Sequence, residues 1–366
     1  MKRRPNIGLI AASAATIGGH SVQARALEAQ LSARGYDVSY IPIDIRLPRW
    51  LRQIRYLRTI VNEVLYLLTL HRLHRCDVVH VFSASYWSFL LAPAPAVVAG
   101  RLLRKKVILH YHSGEADDHL TRWRRIVRPI LRLADEIVVP SVYLEKIFSA
   151  HGYRTRVIPN VIDESQVRVR ERRPLRPRLL SARNLESYYG VDTIIRAFSL
   201  LKGRFPEATL TIVGSGSCER SLRSLVDELA VSNVRFLGAI DPASMDAVYD
   251  AADIFVNASV IDNQPVSILE AFASGLPVVS TPTGDIASML GHGKAGLLVD
   301  STDPARFSDA VASLLDDEEA SLRLTQCARK NLERHAAATV CEQWRSLYDD
   351  LLSAVGCNQE VVVNGV

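Results

Sequence analysis

Residues 262–285 read DNQPVSILEAFASGLPVVSTPTGD, and the order of patterns in them decides the fold. Asp262 and Glu270 bracket a polar loop containing Asn263, Gln264 and Pro265, followed by an apolar helix pattern. The turn Ser274-Gly275-Leu276-Pro277 ends that pattern, and Val278-Val279-Ser280-Thr281 reads as a short buried strand. A helix handing over through a Gly-Pro turn to an apolar strand is one step of a parallel sheet covered on both faces. An acidic residue at a helix mouth accepts hydrogen bonds from ribose or sugar hydroxyls, and the free amides there hold a phosphate. A Glu opening a helix equally serves as a surface residue that complements the helix dipole. The rest of the chain has to decide between the two.

Outward from this stretch the alternation continues in both directions. NIGLIAA, DVSYIPI, DVVHVF, KVILHYH, EIVVP and RVIPN read as strands of the first half, and RLLSA, ATLTIVG, NVRFLG, DIFVNAS, PVVST and GLLV as strands of the second. Apolar strands separated by helical patterns give an α/β protein with two Rossmann-like parallel-sheet domains facing a cleft. A chain of 366 residues suits two such domains. The break falls in the polar, basic stretch ESQVRVRERRPLRP, which gives domains at 1–165 and 178–335 with a linker at 166–177. Residues 336–366 are expected to form a helix, ATVCEQWRSLYDDLLSAV, that returns to the N-terminal domain and runs into a polar tail from about residue 357. Ligands are expected at the C-terminal strand ends that line the cleft.

The composition, 48% hydrophobic and 23% charged, is that of a globular protein. Residues 1–173 carry 28 Lys/Arg against 14 Asp/Glu, and residues 174–366 carry 16 against 25. The basic half is expected to meet something anionic. Five scattered cysteines without a C-x-x-C pair support neither a disulfide framework nor a zinc site, and fit a reducing compartment. KRRP followed by NIGLIAASAA imitates a signal peptide. The helical pattern and strand that follow at once make it the first strand of a βαβ unit instead. No stretch approaches the roughly 20 apolar residues of a membrane span.

Several candidate residues fall at strand-to-helix turns. Gly214 and Gly216 in VGSGS let backbone amides approach a phosphate, although a tight turn needs glycine in any case. Arg183 follows RLLSA at the same rim, where its fork suits a diphosphate; structural ion pairing is the alternative. Gly18 and Gly19 occupy the equivalent turn of the first half, and His112 ends the strand VILHYH.

Together these residues resemble the retaining glycosyltransferases of family four, which have the glycosyltransferase B (GT-B) fold. The resemblance spans nearly the whole chain and is densest from Arg183 to Val299: the strand–Arg opening, VGSG, NVRFLG, YDAADIFVNAS, the acidic pair seven residues apart and SGLPVVSTPTGD. It implies that Glu270 holds the ribose hydroxyls of a nucleotide-sugar donor and Asp262 the hydroxyls of the transferred sugar. Amides along the segment Asn263-Gln264-Pro265-Val266 would cap the sugar and distal phosphate, with Arg183 on the diphosphate. Gly238, Ala239 and Ile240 would read the base. Gly19 and His112 would close over donor and acceptor from the first domain. No DxD motif occurs, so leaving-group charge would be met by side chains and helix dipoles with no cofactor or metal required.

Two positions depart from the family's pattern. Asp262 stands where relatives usually carry Glu, and Tyr189 stands before Gly190 where they carry Lys. A Tyr donates one neutral hydrogen bond and cannot replace the missing charge, which is worth about 1.5–3 kcal/mol of binding.

RWLRQIRYLRTIVNEVLYLLTL (49–70) shows Trp50, Ile54, Leu57, Val61, Val64 and Leu68 at helical spacing, with Arg49, Arg52 and Arg55 to the other side. A second basic helix, RWRRIVRPILRL, lies at 122–133. Either these bind an anionic membrane surface, or they cover the sheet and present a solvated arginine face. Neither carries a nucleic-acid-binding module. The expected function is transfer of a sugar from a nucleoside-diphosphate sugar to a polysaccharide or lipid-linked glycan, in the cytoplasm or at the inner face of the cytoplasmic membrane. A nucleotide-sugar epimerase and a non-catalytic nucleotide-sugar- or glycan-binding relative are the alternatives.

Overall fold

The computed structural model describes residues 4–13, 19–45, 47–48, 54–162, 169–300 and 302–360, with the side chains of Arg55 and 354–360 outside the description. The chain divides into two compact units, 1–161 with 337–366, and 162–336. All twelve expected strands form, six in each unit and all parallel.

In the first unit β1 (Asn6–Ala11), β2 (Asp37–Pro42), β3 (Val78–Ser83), β4 (Lys106–Tyr111), β5 (Glu136–Val139) and β6 (Arg156–Val157) line up in the order β2-β1-β3-β4-β5-β6. Side chains alternate across the sheet. Val79, Val81, Val107, Leu109 and Tyr111 face a core closed by helices Pro93–Leu102, Arg124–Leu131 and Val142–Ala150. Val78, Phe82 and Ile108 face the opposite core, under helices Gly19–Ala33 and Ala337–Glu360. The last helix packs in this core through Trp344, Leu347 and Tyr348, and it runs to Glu360.

Helix Arg55–Thr69 packs Tyr66 into the core beside the sheet, but most of its described apolar stripe faces away from that core. Its inward side is formed by Asn62, which donates to the Ile43 carbonyl at 2.9 Å and accepts from the Ile45 amide at 2.8 Å, and by Tyr66, whose hydroxyl donates to the Ala92 carbonyl at 2.8 Å. Those bonds turn Ile54, Leu57, Val64 and Leu68 outward, with Ile60 between them 61% exposed. Trp50, Arg49 and Arg52 lie outside the described residues.

In the second unit β7 (Arg178–Ala182), β8 (Thr209–Val213), β9 (Val234–Gly238), β10 (Ile254–Asn257), β11 (Val278–Ser280) and β12 (Leu297–Leu298) follow the order β12-β11-β10-β7-β8-β9. The strand order reverses between β7 and β10, the point at which doubly wound sheets open a crevice for ligands. The described part of the expected linker, 169–177, is fastened to this unit. Arg172 is 3% exposed and donates to the carbonyls of Tyr249, Ala252 and Ser274. Arg170 pairs with the fully buried Asp253 at 3.0 Å, and Arg178 pairs with it too. Those acceptors lie about eighty residues or more along the chain, so local polarity gave no sign of them.

Candidate functional site

The site of the second unit is assembled where β7 and β10 end. Arg183 follows β7, and its amide donates to the Val213 carbonyl at 3.0 Å. The chain then runs beneath the 214–216 loop, with the Leu185 amide bonded to the Ser215 carbonyl at 3.0 Å. Glycine is required here for backbone approach: a Cβ on Gly214 would stand 2.0 Å from the Arg183 carbonyl, and one on Gly216 would stand 2.4 Å from that of Leu185. After β10 the segment 258–265 carries Asp262. Its turn is held by Gly284, where φ is +63° and a Cβ would meet the Asp262 carbonyl at 2.3 Å. The Asp285 amide donates to the Asn263 carbonyl at 2.9 Å and Gln264 Nε2 to Asp285 Oδ2 at 3.2 Å, so both ends of the stretch 262–285 meet.

Helix Val266–Ala273 opens at Pro265 with no side-chain cap and no acidic residue in its first turn. Its N-terminal end therefore keeps the positive potential that favours an anion. Glu270, one turn further on, accepts a hydrogen bond from the buried Tyr249 hydroxyl at 2.6 Å. Desolvation pushes its carboxyl up to about 7, against the pull of that hydrogen bond. Near neutral pH Glu270 is therefore poised between acid and carboxylate, and hydroxyl donors from a ligand would favour the carboxylate.

Asp262 and Arg183 meet directly, with Nη2 to Oδ2 at 2.5 Å. Asp262 also accepts from Ser259 Oγ at 2.9 Å and from the Asn263 amide at 3.0 Å. The Arg183 guanidinium lies 4.2 Å from the centre of the Tyr189 ring. Burial pushes the Tyr189 hydroxyl up to about 12, so it stays neutral. Tyr189 precedes Gly190, whose φ of +63° lets the chain pass against the Ala258 carbonyl, 2.1 Å from where a Cβ would be. Gly238, with φ +70°, ends β9 and its carbonyl accepts the Gly214 amide at 2.8 Å; Ala239 beyond it is exposed and Ile240 packs on the core. Arg183, Tyr189, Asp262, Asn263, Gln264, Pro265, Val266 and Glu270 are thus brought to one end of the sheet, with Gly214 and Gly216 alongside.

In the first unit Gly18 lies outside the described residues, and Gly19 is the first residue of helix Gly19–Ala33. His112 leaves β4 with 7% exposure; its ring stacks on Phe82 at 5.1 Å and lies 4.0 Å from that of His110. His110 Nδ1 lies 3.2 Å from His80 Nε2, and His80 Nδ1 lies 2.9 Å from the Tyr348 hydroxyl. Desolvation, the first cause for all three, pushes His80 down to about 3 and holds His110 and His112 well below the usual range. They are buried neutral rings at physiological pH. Among the described residues no group of three or more His, Cys, Asp or Glu is placed to hold a metal ion, and no helix is long and apolar enough to cross a membrane.

This arrangement coincides with two family profiles, glycosyl transferases group 1 over residues 163–331 and glycosyltransferase family 4 over residues 17–166. The chain belongs to glycosyltransferase family four. Within it, this family four chain is 32% identical over 176 residues to the D-inositol 3-phosphate glycosyltransferase of Corynebacterium glutamicum, a match covering 46% of this chain and 42% of that protein. The chain thus spans less than half the length of that relative. The GDP-mannose-dependent alpha-(1-6)-phosphatidylinositol monomannoside mannosyltransferase of Mycobacterium tuberculosis is 28% identical over 335 residues, 86% of this chain and 81% of that protein. Sucrose-phosphate synthase from Thermosynechococcus elongatus superimposes with a TM-score of 0.78 at 20% identity, over 96% of this chain and 100% of that one. Anabaena HepE, solved with UDP-glucose, gives 0.74 at 17%, over 95% and 100%. These likenesses establish the GT-B fold.

Several contributors to this candidate site of the family four chain were not legible in the sequence. Tyr249 and Ser259 hold the two carboxylates, and Gly190 and Gly284 admit the backbone turns. Tyr249 lies in YDAAD and Gly284 in TGD, motifs recognised whole but not resolved into the residue that acts.

Proposed function

We propose that this chain is a retaining glycosyltransferase that moves a sugar from a nucleoside-diphosphate sugar to a hydroxyl of a lipid-linked glycan or growing polysaccharide. The observation that carries the reading is the gathering of Arg183, Asp262, Glu270 and the uncapped helix Val266–Ala273 at the ends of β7 and β10. Glu270 accepts the ribose hydroxyls, the helix end and Arg183 take the diphosphate, and Asp262 takes the sugar hydroxyls. The anomeric C–O bond to phosphate breaks as the acceptor oxygen bonds to the same face of the sugar. The acceptor's proton passes to the departing phosphate oxygen, so no protein base is assigned. Fixed positive charge at the leaving group is the main source of acceleration in such a step.

A membrane-borne acceptor is supported by the first unit. Every exposed large hydrophobic side chain described there, including Tyr56, Ile60, Leu68, Trp87 and Leu102, sits on segments whose inner side packs into the same core, and none is on helix Gly19–Ala33 or Ala337–Glu360. Exposed Arg58, Arg72, Arg101, Arg124, Arg128 and Arg132 are interspersed with them. Apolar side chains rimmed by arginines suit an anionic bilayer surface. The relative named for phosphatidylinositol monomannoside lends support to a lipid acceptor.

The test is release of nucleoside diphosphate from UDP- and GDP-sugars in the presence of membrane glycolipid extracts. Glu270→Ala and Arg183→Ala should each abolish it, and full activity in both would sink the assignment. Turnover of donor without acceptor would instead indicate an epimerase, and binding without any release a non-catalytic relative. Sedimentation with phosphatidylglycerol vesicles, absent with phosphatidylcholine alone and lost in Ile60→Asp/Leu68→Asp, tests the membrane surface.

A further inference from the structure

The donor-side cation of the second unit is already occupied. Arg183 and Asp262 side chains are 10% and 9% exposed and paired at 2.5 Å. Arg183 Nη1 reaches Ser267 Oγ at 3.4 Å, the guanidinium lies against the Tyr189 ring, and Nε is buried without a hydrogen-bond partner. A buried charged donor without an acceptor is costly, and a pair this enclosed is screened little by salt. The same two side chains are those assigned above to the diphosphate and to the sugar.

We infer that the Arg183–Asp262 pair is a resting latch: donor binding exchanges the Asp262 carboxylate for diphosphate oxygens on Arg183, and Tyr189 is the positioning residue that keeps the guanidinium in place through the exchange. The geometry is specific about the direction. The guanidinium carbon stands over the Tyr189 ring at 4.2 Å, so the ring holds the charge on that side while its N–H groups remain for polar partners, as in cation–π contacts. The orphan Nε–H is an in-plane donor that the Asp262 contact at Nη2 does not reach, and a diphosphate supplies enough oxygens to satisfy both edges. Ser267, at the helix mouth, and Ser259, which donates to the same Asp262 oxygen that meets Arg183, remain as partners for the two groups once they part. A lysine at position 189 would pair with Asp262 in its own right and leave Arg183 unlatched; the tyrosine cannot.

The consequence runs against intuition, because removing a binding-site carboxylate should strengthen binding. This inference builds on the proposed donor site, and calorimetry with UDP and GDP separates the two. Asp262→Asn should bind its preferred nucleoside diphosphate about tenfold more tightly than the unaltered protein, with affinity for the nucleoside alone unchanged. The gain should vanish in Asp262→Asn/Arg183→Ala. Tyr189→Phe should keep the original affinity, whereas Tyr189→Leu should lose several-fold for the diphosphate and nothing for the nucleoside. In the unaltered protein labelled with ¹⁵N-arginine, the Nε–H signal missing from Arg183→Lys should move on adding nucleoside diphosphate and stay in place with nucleoside. Equal or weaker binding by Asp262→Asn, or an immobile Nε–H signal, overturns the latch while a loss in Arg183→Ala leaves the donor site standing. No binding by any of these proteins overturns both.

Discussion

The two units share an architecture and differ in what they place at their strand ends. Each has a six-stranded parallel sheet, in the order β2-β1-β3-β4-β5-β6 in the first and β12-β11-β10-β7-β8-β9 in the second. The first carries 25 Lys/Arg against 15 Asp/Glu, the second 19 against 24. At the end of β4 the first unit buries neutral imidazoles among aromatic rings, whereas beyond β7 and β10 the second holds Arg183, Asp262 and Glu270 in a hydrogen-bonded cage. The same scaffold thus supports an apolar, proton-averse strand end and an ionic one. The difference teaches that the fold supplies the position and the side chains supply the chemistry.

The largest expected effect breaks the ionic end by backbone alone. Gly284→Ala forces a Cβ to 2.3 Å from the Asp262 carbonyl at a φ of +63°. It should destabilise the second unit by about 3 kcal/mol or more and abolish nucleotide binding. All four tryptophans, Trp50, Trp87, Trp123 and Trp344, belong to the first unit. Tryptophan fluorescence melting should therefore change less than the circular dichroism melt; equal shifts would mean that the units do not unfold independently.

Arg183→Ala comes next, with transferase turnover expected to fall at least about a hundredfold, to the point where nucleoside-diphosphate release is lost in the assay proposed above. The tryptophan-reported melting temperature should stay unchanged.

Acid should act on the other end of the comparison. A histidine whose folded value is held near 3, as for His80, gives stability that is complete above its unfolded value of 6.5 and lost as pH falls below it. Each such ring costs about 1.4 kcal/mol per pH unit in that window. Tryptophan-monitored melts should fall from pH 7 to 5, less steeply in His80→Phe; a flat profile would show that the rings titrate normally.

The smallest effect concerns Glu270. Its value, raised to about 7, means that below neutral pH a proton competes with ribose hydroxyls for the carboxylate. Nucleoside affinity should therefore weaken as pH falls below 7, by at most about tenfold per unit, and Glu270→Gln should remove the slope. Nucleoside is the better probe because no phosphate titrates.

Much of this comparison was legible in the sequence, and its gaps have physical causes. All twelve strands were readable because a strand buried on both faces is a short apolar run between turns, as in DVVHVF and DIFVNAS. The orientation of helix Arg55–Thr69 was not readable, because periodicity gives a stripe but not the side it faces, and Asn62 and Tyr66 decide that through backbone acceptors elsewhere. Arg172 read as linker because the carbonyls it caps come together only in the fold. At the site the residue types and spacing were legible. The 2.5 Å pairing of Arg183 with Asp262 was not, since the two stand 79 positions apart.

One feature of the chain's path bears on how such a protein can be taken apart. The second unit leaves the first after residue 161 and returns it at 337, and its two ends are stitched by a parallel bridge between Ile162 and Ala336, with the Ile162 amide on the His335 carbonyl at 2.9 Å. A segment whose ends are tied to each other is a cassette. It can be lifted out at one locus and replaced by the corresponding cassette of a relative, so the roles proposed for the two units can be exchanged and tested one at a time.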